Sequence, residues 1–240
     1  MMDFDSLLKW TNDNSGFLAL LLFLATSSIS FVFLIYKSIR KKITTKPSLN
    51  IIVIEQPTMC SSFATGKFDS HGELHRTAFL IYLKIINDGE VPVQIGDIHI
   101  GYKSANKKYN GTWFWLTEET ILLEDYASPI GDKHKVYPFL KQQNHRIQRT
   151  PITYLRPSED TNGLVYFEQN ESSGMNYPSI DTDFRVQSKI IVHDTKANKW
   201  SVEHRIIKVQ IEPIREICPV FGLSKQINSK KDSGGITASM

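Results

Sequence analysis

The longest uninterrupted apolar stretch of the chain lies near its N-terminus, from Phe17 to Tyr36. Its twenty residues, FLALLLFLATSSISFVFLIY, include no charged residue, proline or glycine. An α-helix rises about 1.5 Å per residue and the hydrocarbon core of a bilayer is about 30 Å thick, so a helix of this length just spans it. A buried core helix normally shows a polar stripe, and this stretch has none. The pattern therefore predicts a transmembrane helix over residues 17–36.

The polar residues within this span are small. The hydroxyl groups of Thr26, Ser28 and Ser30 can donate to carbonyl groups of the preceding turn, which lowers their cost in lipid. Thr26 and Ser30 are four residues apart, and Ala19 lies two turns before Thr26. Small residues on one face of a span favour helix–helix association, but they are also common in lone spans. Ala19, Thr26 and Ser30 are therefore the candidate association residues, with simple tolerance as the alternative.

The charges on the two sides of the span differ. The tail of residues 1–16 contains three aspartates and one lysine, whereas a basic linker of residues 37–48 follows the span. The positive-inside rule then predicts that the tail lies outside the membrane and the rest of the chain is cytoplasmic. An acidic start and the lack of an A-x-A site argue against a cleaved signal peptide. The basic residues beside the span are Lys37, Arg40, Lys41, Lys42 and Lys46.

The net charge of +3 comes from the membrane edge. Residues 37–46 carry +5, whereas residues 47–223 carry −2. A basic cluster beside a span is attracted to anionic lipid headgroups by about 1 kcal/mol per residue. Membrane lipid is therefore a predicted partner, and the large C-terminal part has no basic footprint for a nucleic acid.

Beyond the linker, residues 49–223 have the pattern of a β domain. Leu49–Glu55 is rich in β-branched residues, and Thr77–Ile86 has apolar residues on both faces, which is typical of a central strand. Asn87-Asp88-Gly89 predicts a tight hairpin turn, because asparagine and glycine accept positive φ angles. The return strand would be Pro92–Tyr102. Its alternation shifts at Gly96-Asp97, which predicts a β-bulge.

The middle of the domain is less regular. Gly111–Leu116 is predicted as a strand that buries Trp113 and Trp115, and a short helix is expected from Thr117 to Asp125. Arg146–Tyr154 is a further candidate strand, and Gly163–Gln169 alternates clearly enough to predict one.

The C-terminal part of the domain predicts a second hairpin. Its strands are Phe184–His193 and Trp200–Ile211, which face each other if one register shift is allowed. Residues 224–240 have the composition of a disordered tail.

About seven strands, with turns at short intervals and no βαβ alternation, predict an all-β antiparallel sandwich. The Asn87-Asp88-Gly89 turn with Pro92, and the Pro157 turn leading into Gly163–Phe167, resemble hairpins of immunoglobulin-like sandwiches in bacterial surface and membrane proteins. The resemblance covers about a third of the domain and implies an immunoglobulin-like fold. It implies no function, because such sandwiches host many roles.

Candidate chemistry is sparse. No P-loop, G-x-S-x-G or G-x-G-x-x-G motif occurs, and we predict no catalytic, cofactor or metal site. His71 and His75 have the spacing of two zinc ligands on a helix, but they lack the following glutamate of the metalloprotease motif and read as exposed loop histidines. Cys60 and Cys218 have no metal spacing and are expected to be free thiols in a reducing cytoplasm, whereas they are a candidate disulfide if the topology is inverted.

A loop rich in basic residues offers a candidate anion site. The site would use Lys135, Lys141, Arg146 and Arg149, and the alternative is a solvated polar edge.

Two functional hypotheses follow. In the first, the chain is a non-enzymatic interaction or scaffold module at the cytoplasmic membrane face, which binds a protein through an edge strand or through Trp113 and Trp115. In the second, it is a subunit of a membrane effector or sensor complex, a homo-oligomer that associates through its span. An enzyme with catalytic residues scattered over the strands is a third, minor hypothesis.

Overall fold

The computed structural model describes residues 9–10, 12–44, 46–70, 72–105, 112–119, 126–130, 132–144, 148, 150–173, 177–218 and 220–223. Contacts between residues divide the chain into two units, Met1–Lys46 and Pro47–Met240.

The first unit contains one long helix, α1 (Ser15–Thr44). Its Ser15–Arg40 portion has a mean hydropathy of 2.5 and no buried residue, and among the described residues it is the one helix long and apolar enough to cross a membrane. The predicted bonding within the span is confirmed at Thr26, whose hydroxyl donates to the Leu22 carbonyl over 2.9 Å. The helix runs through most of the predicted linker, because residues 37–44 include no glycine or proline and favour helix.

The second unit is mostly antiparallel β-sheet curled into a half-barrel. Its strands are β1 (Leu49–Asp69), β2 (Gly72–Asn87), β3 (Val93–Lys103), β4 (Trp113–Glu119), β5 (Tyr126–Ile130), β6 (Lys133–Tyr137), β7 (Tyr154–Leu155), β8 (Asp160–Glu168), β9 (Ser172–Ser173), β10 (Arg185–Asp194) and β11 (Lys199–Ile207), and a short helix follows, α2 (Ile211–Ile217). The main sheet has the strand order β1-β2-β8-β4-β3-β10-β11. Strand β7 pairs with β3, β9 pairs with β2, and β5 and β6 form a separate hairpin.

Strand β2 lies between two layers of apolar side chains. Phe79, Ile81 and Leu83 point into the main core inside the curled sheet. Ala78 and Leu80 point to the other side, into a second cluster that includes Tyr166, Ile214 and Phe221. The prediction of a central strand is confirmed, since β2 pairs with β1 on one edge and β8 on the other.

The predicted hairpin at Asn87-Asp88-Gly89 is wrong. Strand β2 pairs with β1 and β8, whereas β3 pairs with β4, β7 and β10, so the turn carries the chain away from β2. Asn87 is buried, and its side-chain amide donates to the carbonyls of Val91 (2.8 Å) and Leu155 (3.1 Å). Both edges of β2 already have partner strands, so the chain crosses to another part of the sheet after Asn87. The Asn87 side chain stabilises this connection through its two hydrogen bonds.

Other predictions near these strands have mixed outcomes. The bulge at Gly96-Asp97 is confirmed, since β3 has one residue more than β10 between two successive pairs. The second hairpin is confirmed without an internal register shift. Strand β1 is longer than expected because irregular pairing between Ile54 and Met59 conceals its alternation.

Two predictions for the middle of the domain are wrong over the residues described. Residues 117–119 belong to strand β4 instead of a helix, and residues 120–125 lie outside the described part. The strand expected over residues 146–154 is limited to β7, which begins at Tyr154.

A buried ion pair joins β2 to β8. The Arg76 guanidinium lies 2.9 Å from the Glu168 carboxylate, and their side chains are 3% and 0% exposed. The same guanidinium reaches Glu171 over 2.6 Å. The Tyr166 hydroxyl donates to Glu168 and accepts from the backbone N–H of Gly222, so the network also holds the end of the described chain against the sheet.

Cys60 and Cys218 are buried free thiols. Burial raises the pKa of Cys60 to about 12 and that of Cys218 to about 11, from an ordinary value of 9.0. In the folded domain the thiols therefore stay protonated at a pH where they ionise after unfolding. Their contribution to stability is complete below pH 9.0 and is lost as the pH rises through the folded-state pKa values.

We therefore expect the urea concentration at the midpoint of unfolding to decrease when the pH is raised from 8 to 10. Tryptophan fluorescence measures this midpoint. The Cys60→Ala/Cys218→Ala variant should show a smaller fall, because other groups still titrate but the two thiols do not. An equal decrease of the midpoint in the two proteins would show that the two thiols do not contribute to the pH dependence of stability.

Candidate interaction surface

The two tryptophans of β4 point outward. Along this strand Phe114 and Leu116 pack against the main core, so the alternating positions Trp113 and Trp115 lie on the opposite face. The Trp115 side chain is 44% exposed. The two tryptophans do not face the core as expected, since Trp115 is exposed and Trp113 is half-buried on the outer face. Four successive apolar residues leave the inward face undecided in the sequence.

Trp115 lies across a glycine of the neighbouring strand. It is opposite Gly101 of β3, and a Cβ atom at Gly101 would lie 2.8 Å from the indole ring. Because Gly101 has no side chain, the Trp115 ring packs directly on the β3 backbone. The ring packs on the sheet with one face and presents the rest to solvent.

Trp113 is the second aromatic residue of this surface. Its ring centroid lies 6.1 Å from that of Trp115, with 33° between the ring planes. The Lys103 ammonium lies 5.3 Å from the centroid of the Trp113 ring, within the range of a cation–π contact. The arrangement combines a rigid apolar surface with a positive charge at its border.

The same face continues over β10 and β11. Lys189 is opposite Gly101, and Glu203 is opposite Lys189 at 3.2 Å between charged atoms. We call this surface the tryptophan face; it consists of Gly101, Lys103, Trp113, Trp115, Lys189 and Glu203.

A basin of about 500 Å³ adjoins the Lys103 end of the tryptophan face. Asp181 fixes one wall, since its carboxylate accepts from the backbone N–H of Arg185 and from the Arg205 guanidinium. These hydrogen bonds, led by that of Arg185, hold the pKa of Asp181 below its ordinary value. The basin is lined by Lys103, Ser104, Ser179, Ile180, Asp181, Arg185, Gln187 and Arg205.

A second cavity, of about 280 Å³, lies beside Glu118 at the junction of β4 and β8. Burial raises the pKa of Glu118, and its ion pair with Lys141 opposes that shift. Lys141 also donates to the Gly96 carbonyl over 2.7 Å. The lysine considered for an anion site is thus engaged with protein groups, and Arg146 and Arg149 lie outside the described residues.

Within the described ranges, no group of three or more histidine, cysteine, aspartate or glutamate residues could hold a metal ion. His71 is outside those ranges, and His75 makes an edge contact with Tyr177 at 4.9 Å between ring centroids. Among the described residues, His75 is therefore not part of a candidate metal site.

The residues predicted on the helix are exposed where they are described. Ala19, Thr26 and Ser30 are exposed on α1, and three of the five basic residues are exposed on α1 or just after it. Those three are Lys37, Arg40 and Lys46, while the side chains of Lys41 and Lys42 are outside the described part. Sequence reasoning did not single out Gly101 or Lys103, because their role depends on the pairing of β3 with β4.

No family model matches this chain, and no curated protein matches it. Among solved structures, the crystal structure of a Bordetella pertussis protein described as ApaA is similar over 69% of this chain and 97% of that chain. The two sequences are 9% identical, and the TM-score is 0.26. A likeness at that TM-score carries no argument about the fold or the function of this chain.

Proposed function

We propose that the chain is a single-pass membrane protein whose β domain is a non-enzymatic module that binds a protein partner through the tryptophan face. The main support for this proposal is the outward position of two neighbouring tryptophans, Trp113 and Trp115, on the sheet. The Trp115 side chain is 44% exposed. Tryptophan is enriched among the residues that dominate binding energy, and it buries a large area when a partner covers it. The basin beside Lys103 adds charged and polar groups at the border, as interface rims have.

Membrane attachment through α1 is supported by its apolar Ser15–Arg40 portion, which is long enough to cross a membrane and has no buried residue. The orientation that we propose puts the N-terminus outside and the β domain in the cytoplasm. Its support is the five basic residues after the span against one lysine and three aspartates before it. Those basic residues would also contact anionic headgroups.

We further propose that the half-barrel is an immunoglobulin-like sandwich. Its strand order supports this, since β1-β2-β8 corresponds to strands A-B-E of that fold and β3-β10-β11 corresponds to C-F-G. Strand β4 pairs with both β3 and β8 and so joins the two groups at one side. The assignment concerns architecture and carries no activity.

Trp115→Ala tests the proposed function. The full-length variant in cell membranes should recover at least about tenfold less of the partner after in-cell crosslinking, because truncating a central aromatic anchor commonly costs 2 kcal/mol or more of binding energy. Phe68→Ala is the matched control, since Phe68 is 75% exposed but lies on β1, away from this face. Equal losses in the two variants, or none in either, would remove the tryptophan face as the binding surface.

Gly101→Ala offers a second test that leaves both tryptophans in the chain. The added methyl group would clash with the Trp115 ring, so the ring has to rotate away from its position on the β3 backbone. We expect crosslinking to the partner to fall as strongly as with Trp115→Ala, while the urea midpoint changes by less than that of a core variant because the ring can rotate into solvent. Unchanged crosslinking would show that packing of the Trp115 ring on Gly101 is not needed for binding the partner.

A further inference from the structure

The basin beside the tryptophan face is rich in hydrogen-bond donors. Its lining contains three cationic side chains and one carboxylate, and Ser179 and Gln187 add an exposed hydroxyl group and an exposed amide group. The cations are Lys103, Arg185 and Arg205, and the carboxylate is that of Asp181. The lining therefore offers more donors than acceptors to a group that enters the basin.

The carboxylate of Asp181 is already bound by protein groups. Its Oδ1 atom accepts from the backbone N–H groups of Asp183 and Arg185, each over 2.9 Å. Its Oδ2 atom accepts from the Arg205 Nε over 2.8 Å. A cation of a partner would have to displace Arg205 to reach this carboxylate, whereas an anion has no such competitor.

Both arginines of the basin have carboxylate partners. Arg205 binds Asp181 and Asp183. The Arg185 guanidinium lies 3.5 Å from the Glu55 carboxylate. Asp183 and Glu55 are outside the lining, and their side chains are 63% and 68% exposed. These two cations are therefore engaged before a partner binds.

Lys103 differs from the two arginines. Within the described part of the chain, its ammonium has a cation–π contact with Trp113 and no ion pair with a carboxylate. Its side chain is half-buried and belongs both to the basin and to the tryptophan face. A partner that covers this ammonium removes more of its hydration, and a carboxylate of that partner would offset the loss. The surroundings of Lys103 therefore favour an anionic group.

Apolar surface adjoins this ammonium. The centroid of the Trp113 ring is 5.3 Å from it, and that of the Trp115 ring is 6.1 Å from the Trp113 centroid. Ile180, in the wall of the basin, is 42% exposed. Side chains two positions apart on a strand are separated by about 7 Å, and those three or four apart on a helix by about 5–6 Å. One short segment can therefore reach Lys103 and the tryptophans together.

We propose that the partner of the tryptophan face is a protein segment with an acidic residue about two to four positions from a large apolar residue. The carboxylate binds Lys103, and the lining offers Gln187 and Ser179 as further donors. The apolar side chain covers Trp113 and Trp115. This inference rests on the proposed function and adds the chemical class of the partner.

Selection from a library of random peptides displayed on phage tests this class. The target is the full-length protein in lipid nanodiscs, and empty nanodiscs first remove the peptides that bind lipid. We expect the enriched sequences to combine an aspartate or glutamate with a large apolar residue at the proposed spacing. Enrichment of basic sequences, of apolar sequences without an acidic residue, or of none would overturn the inference.

Charge reversal at Lys103 tests the contact itself. A synthetic peptide with the most enriched sequence should bind Lys103→Glu at least about tenfold more weakly than the original protein, because like charges then face each other. Lys103→Met, which only removes the charge, should have a smaller effect. Exchanging the acidic residue of the peptide for lysine should restore binding to Lys103→Glu, which also shows that this variant is folded.

Lys196→Glu is the matched control for the charge reversal. Lys196 is exposed between β10 and β11, whereas the basin lies at the other end of β10, beside Arg185. This variant should bind the acidic peptide as tightly as the original protein does. Equal losses with Lys103→Glu and Lys196→Glu, or no recovery with the lysine peptide, would contradict a contact at Lys103.

Trp115→Ala distinguishes failure of this inference from failure of the proposed function. If the enriched peptides lack acidic residues but lose binding to Trp115→Ala, the tryptophan face binds proteins and only the assignment to Lys103 is wrong. If the enriched peptides bind Trp115→Ala as tightly as the original protein, the tryptophan face is not the binding surface and the proposed function is wrong.

Discussion

Replacing Arg76 with methionine is expected to lower the free energy of unfolding of the β domain by about 3–5 kcal/mol, because the Glu168 carboxylate then stays buried without its cation. Methionine fills much of the same space, so the loss is mainly electrostatic. The measurement is the urea concentration at which Cys218 of the full-length chain becomes accessible to a maleimide in membranes. Cys218 suits this purpose because it is buried in the cluster beside Tyr166.

Lys67→Met is the matched control for that experiment. Lys67 binds Glu171, a carboxylate that Arg76 also contacts, but the Lys67 side chain is 50% exposed. Exposed ion pairs contribute about 0–1 kcal/mol, so the Lys67 variant should shift the urea midpoint only slightly. Similar shifts in the two variants would mean that the buried pair has no special importance.

Gly163→Ala is expected to destabilise the domain by about 1–3 kcal/mol or more, since the added methyl group has no space. A Cβ atom at Gly163 would lie 2.5 Å from the backbone of Leu140. That backbone is held in place, because the Leu140 N–H donates to the Leu164 carbonyl and the Leu164 N–H donates to the Pro138 carbonyl. The variant must therefore separate β8 from the segment that covers it.

Gly101→Ala provides the comparison for the Gly163 variant. At Gly101 the obstructing group is the mobile indole of Trp115, whereas at Gly163 it is backbone. The urea midpoint should consequently fall much more for Gly163→Ala. If Gly101→Ala were the more destabilising of the two, the account of backbone contact at Gly163 would be wrong.

The apolar helix, the antiparallel β class and the bulge at Gly96-Asp97 were predictable because each follows from a local pattern. The path of the chain after Asn87 was not. An asparagine–aspartate–glycine sequence favours a tight turn in isolation, but here the Asn87 side chain bonds to Leu155, sixty-eight residues away in sequence. Pairing of β2 with β8 decides the direction of the chain, and that contact is long-range.

The interaction surface illustrates the same limit. Trp113 and Trp115 were identified from their spacing, but their outward direction depends on Phe114 and Leu116 facing the core. Gly101 matters because β3 and β4 pair in a register that puts it opposite Trp115. Such cross-strand relations cannot be read from one segment at a time.

The most direct test of the central claim is the location of the β domain relative to the membrane. Lys196→Cys puts a thiol at an exposed position between β10 and β11, while the two native thiols are buried. In sealed cells, we predict that the full-length variant resists extraction from membranes by alkaline carbonate and reacts with a membrane-impermeant maleimide only after permeabilisation. Recovery in the soluble fraction, or labelling of intact cells from outside, would contradict a cytoplasmic domain anchored by α1.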